Sequence, residues 1–466
     1  MFQPVSLPLW LLVLILLFAA VTFASHFLFP SVRWFFRKRA ERLVSRMNER
    51  LRRPVEPFKL ARRHDTIQRL IYDPAVVEAV VEHARENKVP ENVAFEKARD
   101  YAREIVPSFS ATAYFTIGMR LARWLSRSLY RIRLGSFDRK GLDEVDPDAA
   151  VVFVMNHRSN MDYVLVTYLV SQTSTLTYAV GEWARVWPLS AVIRAMGAYF
   201  IRRKRRSALY RRVLARYVQM AVQGGVTQAF FPEGGLSLDG RIAPPKLGLL
   251  NYIVEGWEPG GREVIFVPVA LNYDHVLEDR FLIAADKAGQ RKFRPPLGTV
   301  VTGIGAHLWQ RLLRRFNSFG TASVSFGAPL SLSAMMGAGP LRIEDLADRL
   351  IDEISRVVPV LPVPLVCHVM RDGETRSEAA IEAEMAARLE RMQGRVSSLP
   401  RRDVAVLCRE GVALLKGRGL LLSGDGALHM APDARDVFDF YANSISQFLD
   451  DSGGGQGVAK DSALAR

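Results

Sequence analysis

From Arg131 onward, short apolar runs alternate with amphipathic stretches, and long helical patterns flank this middle region on both sides. The runs RIRLGSF, AAVVFVMN, LTYAVG, GAYFIRR, VTQAFFPEGG, EVIFVPVALNY and TASVSFGAPL are rich in β-branched and aromatic residues, are bounded by turn formers, and each predict a strand. Helical patterns lie between many of them, which predicts an α/β domain on a mixed sheet. The proline inside EVIFVPVALNY is unusual for a central strand. Upstream, DPAVVEAVVEHARENK and NVAFEKARDYAREIV predict two helices parted at Val89-Pro90. Downstream, IEDLADRLIDEISRVV closes the domain and VLPVP marks a linker. From about residue 365 to 449 the pattern is again helical, as in EAAIEAEMAARLERMQG and ARDVFDFYANSISQFLDD. The small, polar SGGGQGVAKDSALAR at the end predicts disorder, and no internal repeat is found.

One further apolar stretch stands apart. Leu7 to Pro30 (LPLWLLVLILLFAAVTFASHFLFP) is long enough to cross about 30 Å of hydrocarbon. No basic residue precedes it, no small-residue cleavage site stands out, and Arg33, Arg37, Lys38, Arg39 and Arg42 follow at once. A cleaved leader would carry its positive charge in front. The expectation is an uncleaved membrane anchor with everything after it in the cytoplasm.

Charge and cysteine content narrow the function classes. The 466 residues carry a formal net charge of +15 with 49% hydrophobic content, ample for a sizeable core. A basic balance can signal nucleic acid. Here the cations concentrate in RWFFRKRAERLVSRMNERLRR and IRRKRRSALYRRVLAR, and the first mixes Arg with Trp34, Phe35 and Phe36 as a helix lying on anionic lipid would. Membrane lipid is therefore the expected partner and nucleic acid is not. Cys367 and Cys408 stand far apart without CxxC or Cys/His clusters, so neither a disulfide framework nor a metal site is predicted.

The chemistry is concentrated where the second run ends, in VVFVMNHRSNMDY. On one regular helix His157 and Asp162 would lie roughly 140° apart. If VVFVM is a strand and MDYVLVTYLV a helix, the turn HRSN can fold His157 back onto the carboxylate, making a charge-oriented base; a turn residue capped by Asp162 is the plainer reading. Further on, GAYFIRR ends in Arg202 and Arg203, a residue type suited to gripping phosphate. FFPEGGLS turns on paired glycines that let backbone N–H groups approach an anion or hydroxyl.

In order and spacing, NHRSNMD, GAYFIRR, FPEGGLS with GRIAPPKLG, and VIFVPVALNYDHV resemble the glycerol-3-phosphate and dihydroxyacetone-phosphate acyltransferase family, one of the HX4D glycerolipid acyltransferases, over about residues 135 to 335. The flanks look like those of the bacterial membrane-bound glycerol-3-phosphate enzyme. The resemblance implies a mixed-sheet acyltransferase domain with helical N- and C-terminal regions and one transmembrane helix. The expected division is an anchor at 1–30, a basic and helical region at 31–130, the acyltransferase domain at 131–358, a helical region at 359–450 and a tail at 451–466.

The resemblance also implies roles. His157 would be general base on an acceptor hydroxyl and Asp162 would fix its tautomer, with no acyl-enzyme. Phosphate and glycerol contacts fall on Arg202 or Arg203 and on Glu233, Gly234, Gly235 and Ser237, extended by Arg241 and Lys246. Pro268 would line the acyl or pantetheine side. No cofactor is expected, only acyl-CoA or acyl carrier protein as co-substrate, and the reaction would serve phospholipid biosynthesis. One departure stands out: where the family shows EGGRSRTG, this chain has EGGLSLDG, with Leu236 and Leu238 in place of two cations. Three readings stay open: acylation of glycerol 3-phosphate, acylation of lysophosphatidate or another lysolipid, and a membrane-tethered protein that binds anionic lipid or nucleic acid.

Overall fold

The computed structural model describes residues 8, 10–18, 51, 53–171, 174–181, 189–202, 207–289, 319–337, 339, 341–397 and 399–450. All seven runs read as strands are strands: β1 (Arg131–Phe137), β2 (Ala150–Met155), β3 (Thr177–Gly181), β4 (Tyr199–Ile201), β5 (Gln228–Phe230), β6 (Val264–Tyr273) and β7 (Thr321–Phe326). A two-residue strand, β8 (Leu330–Ser331), joins them. The sheet order is β1-β7-β6-β2-β5-β3-β4, with β8 beside β6. β2 runs parallel to β5 and β6, while β7 and β8 run antiparallel to β6. The sheet is therefore mixed, with helices between its strands and helical regions on either side of it in the chain.

β2 and β6 are buried at every position, which accounts for their unbroken apolar texture: both faces of the sheet are covered. Each Val or Phe so buried contributes roughly 1.5–3 kcal/mol, and truncating Phe266 to Ala would cost about 3–5 kcal/mol. The proline of β6 has a simple explanation. Pro268 turns its carbonyl away from β2, accepting from Gly327 N at 2.8 Å. Its ring nitrogen therefore faces the same flank, in the gap between the residues paired to β8 (Ile265, Phe266) and those paired to β7 (Val269 onward). No ladder bond to β2 is lost.

The N-terminal helices form where the pattern placed them, Pro74–Asn87 and Glu91–Ile105. Asp73 caps the first by accepting from Ala75 N at 3.1 Å, Pro74 sets its first turn, and Lys88 in the left-handed conformation ends it before Pro90. These helices, the sheet and the C-terminal helices share one hydrophobic core.

Two expectations near the C-terminus are corrected. VLPVP is not a linker: it leads into the helix Pro362–Val369, whose residues are buried throughout except His368. Apolar content governs there, because Pro at a first helical turn does not interrupt a helix. The C-terminal region is also not wholly helical, since β9 (Leu421–Gly424) and β10 (Ala427–Met430) form a hairpin. Its two-residue turn is Asp425-Gly426, both at positive φ, 50° and 75°.

Residues 10–18 are helical and expose large apolar side chains from Trp10 to Phe18. Among the described residues no helix is long and apolar enough to cross a membrane. Most of the rest of the expected anchor, residues 33–50 of the basic aromatic segment that follows it, the Lys204-Arg205-Arg206 run and the C-terminal tail lie outside the described residues.

Candidate active site

β2 ends at Met155, and Asn156 prolongs its pairing through a side chain. Its amide donates to Leu271 O at 3.0 Å and accepts from Leu271 N at 2.7 Å. His157 follows, then a turn, then the helix Met161–Val170 with Asp162 in its first turn. Four donors converge on the Asp162 carboxylate. Oδ2 meets His157 Nδ1 at 2.9 Å, Arg158 N at 2.7 Å and Ser159 N at 3.0 Å, and Oδ1 accepts from Tyr273 Oη at 2.6 Å. A carboxylate has the lone pairs for four such bonds and no proton to give. Nδ1 therefore carries the imidazole proton, which leaves Nε2 as the acceptor.

The ring is fixed on its faces as well. Phe231 stacks on it at 3.8 Å between centroids and 19° between planes, and Tyr163 presents an edge at 5.5 Å. His157 is only 3% exposed, yet with Tyr163, Phe231, Gly234, Lys246 and Leu249 it lines a cavity of about 300 Å³ at the C-terminal ends of β2, β3, β4 and β5.

The turn after β5 grips the main chain of His157 from both sides. Glu233 Oε1 accepts from His157 N at 2.7 Å, and Ser237 N donates to His157 O at 2.9 Å. Glu233 Oε2 accepts from Ala243 N at 2.9 Å. Burial pushes the Glu233 carboxyl up to about 7, against those two backbone donors. Ser237 Oγ is spent on Arg241 O at 2.6 Å. Glu233 and Ser237 thus position the base and do not line the cavity.

Gly234 and Lys246 do line it. Gly234 has φ +68°, and a Cβ there would come within 2.7 Å of Lys246 Cδ and 2.9 Å of its Nζ. The positive φ favours glycine at this turn, and a side chain there would push the lysine that crosses it. Lys246 N is anchored on Pro232 O at 2.8 Å.

The other expected contacts lie elsewhere. The Arg202 guanidinium makes a two-pronged pair with Glu104, at 2.8 and 2.6 Å, between the rings of Tyr101 and Tyr210, and does not line the cavity. Arg241 reaches Asn443 Oδ1 at 3.2 Å. Pro268 sits within the sheet, and Gly235 continues the turn; neither lines the cavity. Arg203 lies outside the described residues. Leu236 and Leu238 pack against the core.

Several residues that no pattern singled out complete the site. Glu278 accepts from Ser159 Oγ at 2.8 Å and Asn160 Nδ2 at 3.1 Å, pinning the His157 turn to the end of β6; burial raises its carboxyl above the ordinary range. Arg158 is buried and donates to Gly240 O and to Ser444 O, the latter at 3.4 Å. Asn443 Nδ2 donates to Asp239 O at 2.9 Å, so the C-terminal helix end holds the loop after the FPEGG turn. Among the described residues no cluster of His, Cys, Asp or Glu could hold a metal ion. What the geometry offers is a base with a fixed tautomer facing a partly apolar cavity that carries one lysine.

Residues 136–272 match the family model described as Acyltransferase, a span that holds the His157 turn, the Glu233 clamp and most of β6. This central domain belongs to the acyltransferase family. The chain is similar to glycerol-3-phosphate acyltransferases of Shewanella loihica (30% identity, 68% of this chain, 38% of that protein), Actinobacillus succinogenes (29%, 60% and 33%) and Aeromonas hydrophila (30%, 59% and 33%). It spans well under half the length of these curated relatives. A solved 1-acyl-sn-glycerophosphate acyltransferase from Thermotoga maritima aligns with 51% of this chain and 76% of its own, at 19% identity and a TM-score of 0.29.

Proposed function

We propose that the protein is an O-acyltransferase that moves an acyl chain from a thioester, acyl-CoA or acyl carrier protein, to the 1-hydroxyl of glycerol 3-phosphate, forming lysophosphatidate for phospholipid biosynthesis. The observation that carries this is the His157 Nδ1 to Asp162 Oδ2 bond of 2.9 Å, which directs Nε2 as acceptor at a cavity. The acceptor hydroxyl gives its proton to Nε2 as its oxygen attacks the thioester carbonyl; the C–S bond then breaks, and the imidazolium returns the proton to the leaving thiolate. Asp162 stabilises the imidazolium meanwhile. Lys246 meets the phosphate, and the walls of Tyr163, Phe231 and Leu249 take the acyl side. The names of the relatives support glycerol 3-phosphate as acceptor.

The same reading places the protein in a bacterial inner membrane, crossing once between Leu7 and Pro30, with the catalytic domain cytoplasmic. The exposed apolar helix at 10–18 and the five cations that follow support it. No nucleic acid takes part. Full-length protein in detergent, given one labelled acyl thioester and each acceptor in turn, tests the activity. Label should pass to glycerol 3-phosphate faster than to lysophosphatidate; the reverse order replaces this acceptor with the lysolipid, and no transfer to either ends the reading.

A further inference from the structure

A second cavity, of about 230 Å³, opens at the opposite edge of the sheet. Thr177 at the start of β3 and Val226 just before β5 line it, whereas the His157 cavity takes Gly181 and Phe230 from the far ends of the same strands. Its walls include Lys59, Arg62, Arg63 and Phe109, and no carboxylate lines it among the described residues.

Lys59 is 8% exposed, and its Nζ has no hydrogen-bond partner. The ammonium lies over Phe109 at 4.7 Å and Tyr114 at 5.7 Å from the ring centroids. Glu56 is the acid that acts on it, and Glu56 Oε2 is likewise buried without a partner. Arg63 donates Nε to Val106 O at 3.0 Å and Nη2 to Arg103 O, and the Arg194 and Arg103 side chains add like charge beside it. Burial holds the Lys59 amine down to about 7.

A buried amine without a hydrogen-bond acceptor is costly. A fold that nevertheless gathers Lys59, Arg62 and Arg63 around one cavity is arranged for an acceptor from outside the chain. We propose that this cavity is a second anion site, separate from the His157 site, that takes a phosphate group from either a free phosphorylated solute or an anionic lipid headgroup. The proposal does not depend on the acyl-transfer reading.

The test uses full-length protein in nonionic detergent carrying Lys246→Met, so that phosphate at the His157 cavity is weakened. Thermal unfolding is followed against inorganic phosphate and, separately, against dihexanoyl phosphatidylglycerol with dihexanoyl phosphatidylcholine as the zwitterionic control. At least one anion should raise Tm in a saturable way. Adding Lys59→Met or Arg62→Gln should weaken that apparent affinity by about tenfold or more, as expected for loss of a charge-assisted contact. Lys59→Met also takes from buried Glu56 the charge beside it; should that variant unfold, the exposed Arg62 position carries the test alone. A response to phosphate assigns a free solute, and a response to phosphatidylglycerol alone assigns a lipid headgroup. No saturable response to either, or responses that both substitutions leave unchanged, overturns the proposal.

Discussion

Tyr273, at the end of β6, donates its hydroxyl to Asp162 Oδ1 at 2.6 Å, from a side chain that is fully buried. The strand that carries the family's fourth sequence block thus reaches under the first block and holds the carboxylate that orients the base. Tyr273→Phe removes one of the four donors that hold the Asp162 carboxylate in place. kcat should fall about tenfold with KM little changed, in line with a lost hydrogen bond to a charged group. An unchanged kcat would show that Tyr273 serves packing alone.

His157→Ala should lower acyl transfer by about 10²–10⁴-fold while circular dichroism stays unchanged. Asp162→Asn should lose less. Its amide oxygen can keep the N–H donors while its NH₂ turns to the Tyr273 oxygen, so the fold survives with a weaker orienting charge. Initial rates with a labelled thioester decide between these outcomes.

The two cations tied to phosphate separate cleanly. Lys246→Met should raise KM for glycerol 3-phosphate about tenfold or more, from loss of a charge-assisted contact, with KM for the thioester little changed. Arg202→Gln should leave both KM values alone and instead lower stability by about 2–3 kcal/mol, because buried Glu104 loses its two-pronged pair with the guanidinium. Tm and KM measured on both variants test the assignment.

The contributions of Glu233 and Asp274 to stability should fall as pH rises from about 4.5 to 7, while His368, held down to about 4 by burial, contributes in the opposite sense between about 4 and 6.5. Burial raises the folded-state pKa of Glu233 to about 7 and of Asp274 to about 6, above their ordinary values. A raised acid binds more protons folded than unfolded across that window. Its stabilising contribution is therefore full below the ordinary carboxylate pKa and is lost as pH passes the folded value; for Glu233 the loss is on the order of 3 kcal/mol. Urea unfolding of the wild type and of Glu233→Gln at pH 5, 6 and 7 should show the wild type losing stability relative to the variant as pH rises.

Every strand of the large sheet except two-residue β8 was legible in the sequence, because β-branched runs bounded by turn formers are local signals that a buried strand needs wherever it ends up. The His157–Asp162 pairing was legible for the same reason: strand, turn and helix are contiguous, and their order alone brings two side chains together. The hairpin at Asp425-Gly426 carried its signal too, but helical neighbours on both sides obscured four-residue strands. What the tertiary structure alone decided is which partner each polar side chain meets. Tyr273 lies 111 residues from Asp162, Glu278 lies 119 from Ser159, and Arg202 lies 98 from Glu104. No spacing rule spans such distances. A carboxylate or guanidinium takes the nearest complementary group the packing supplies, so Arg202 went to a buried acid on the helix Glu91–Ile105, Glu233 and Ser237 went to the backbone of His157, and Lys246 lines the cavity.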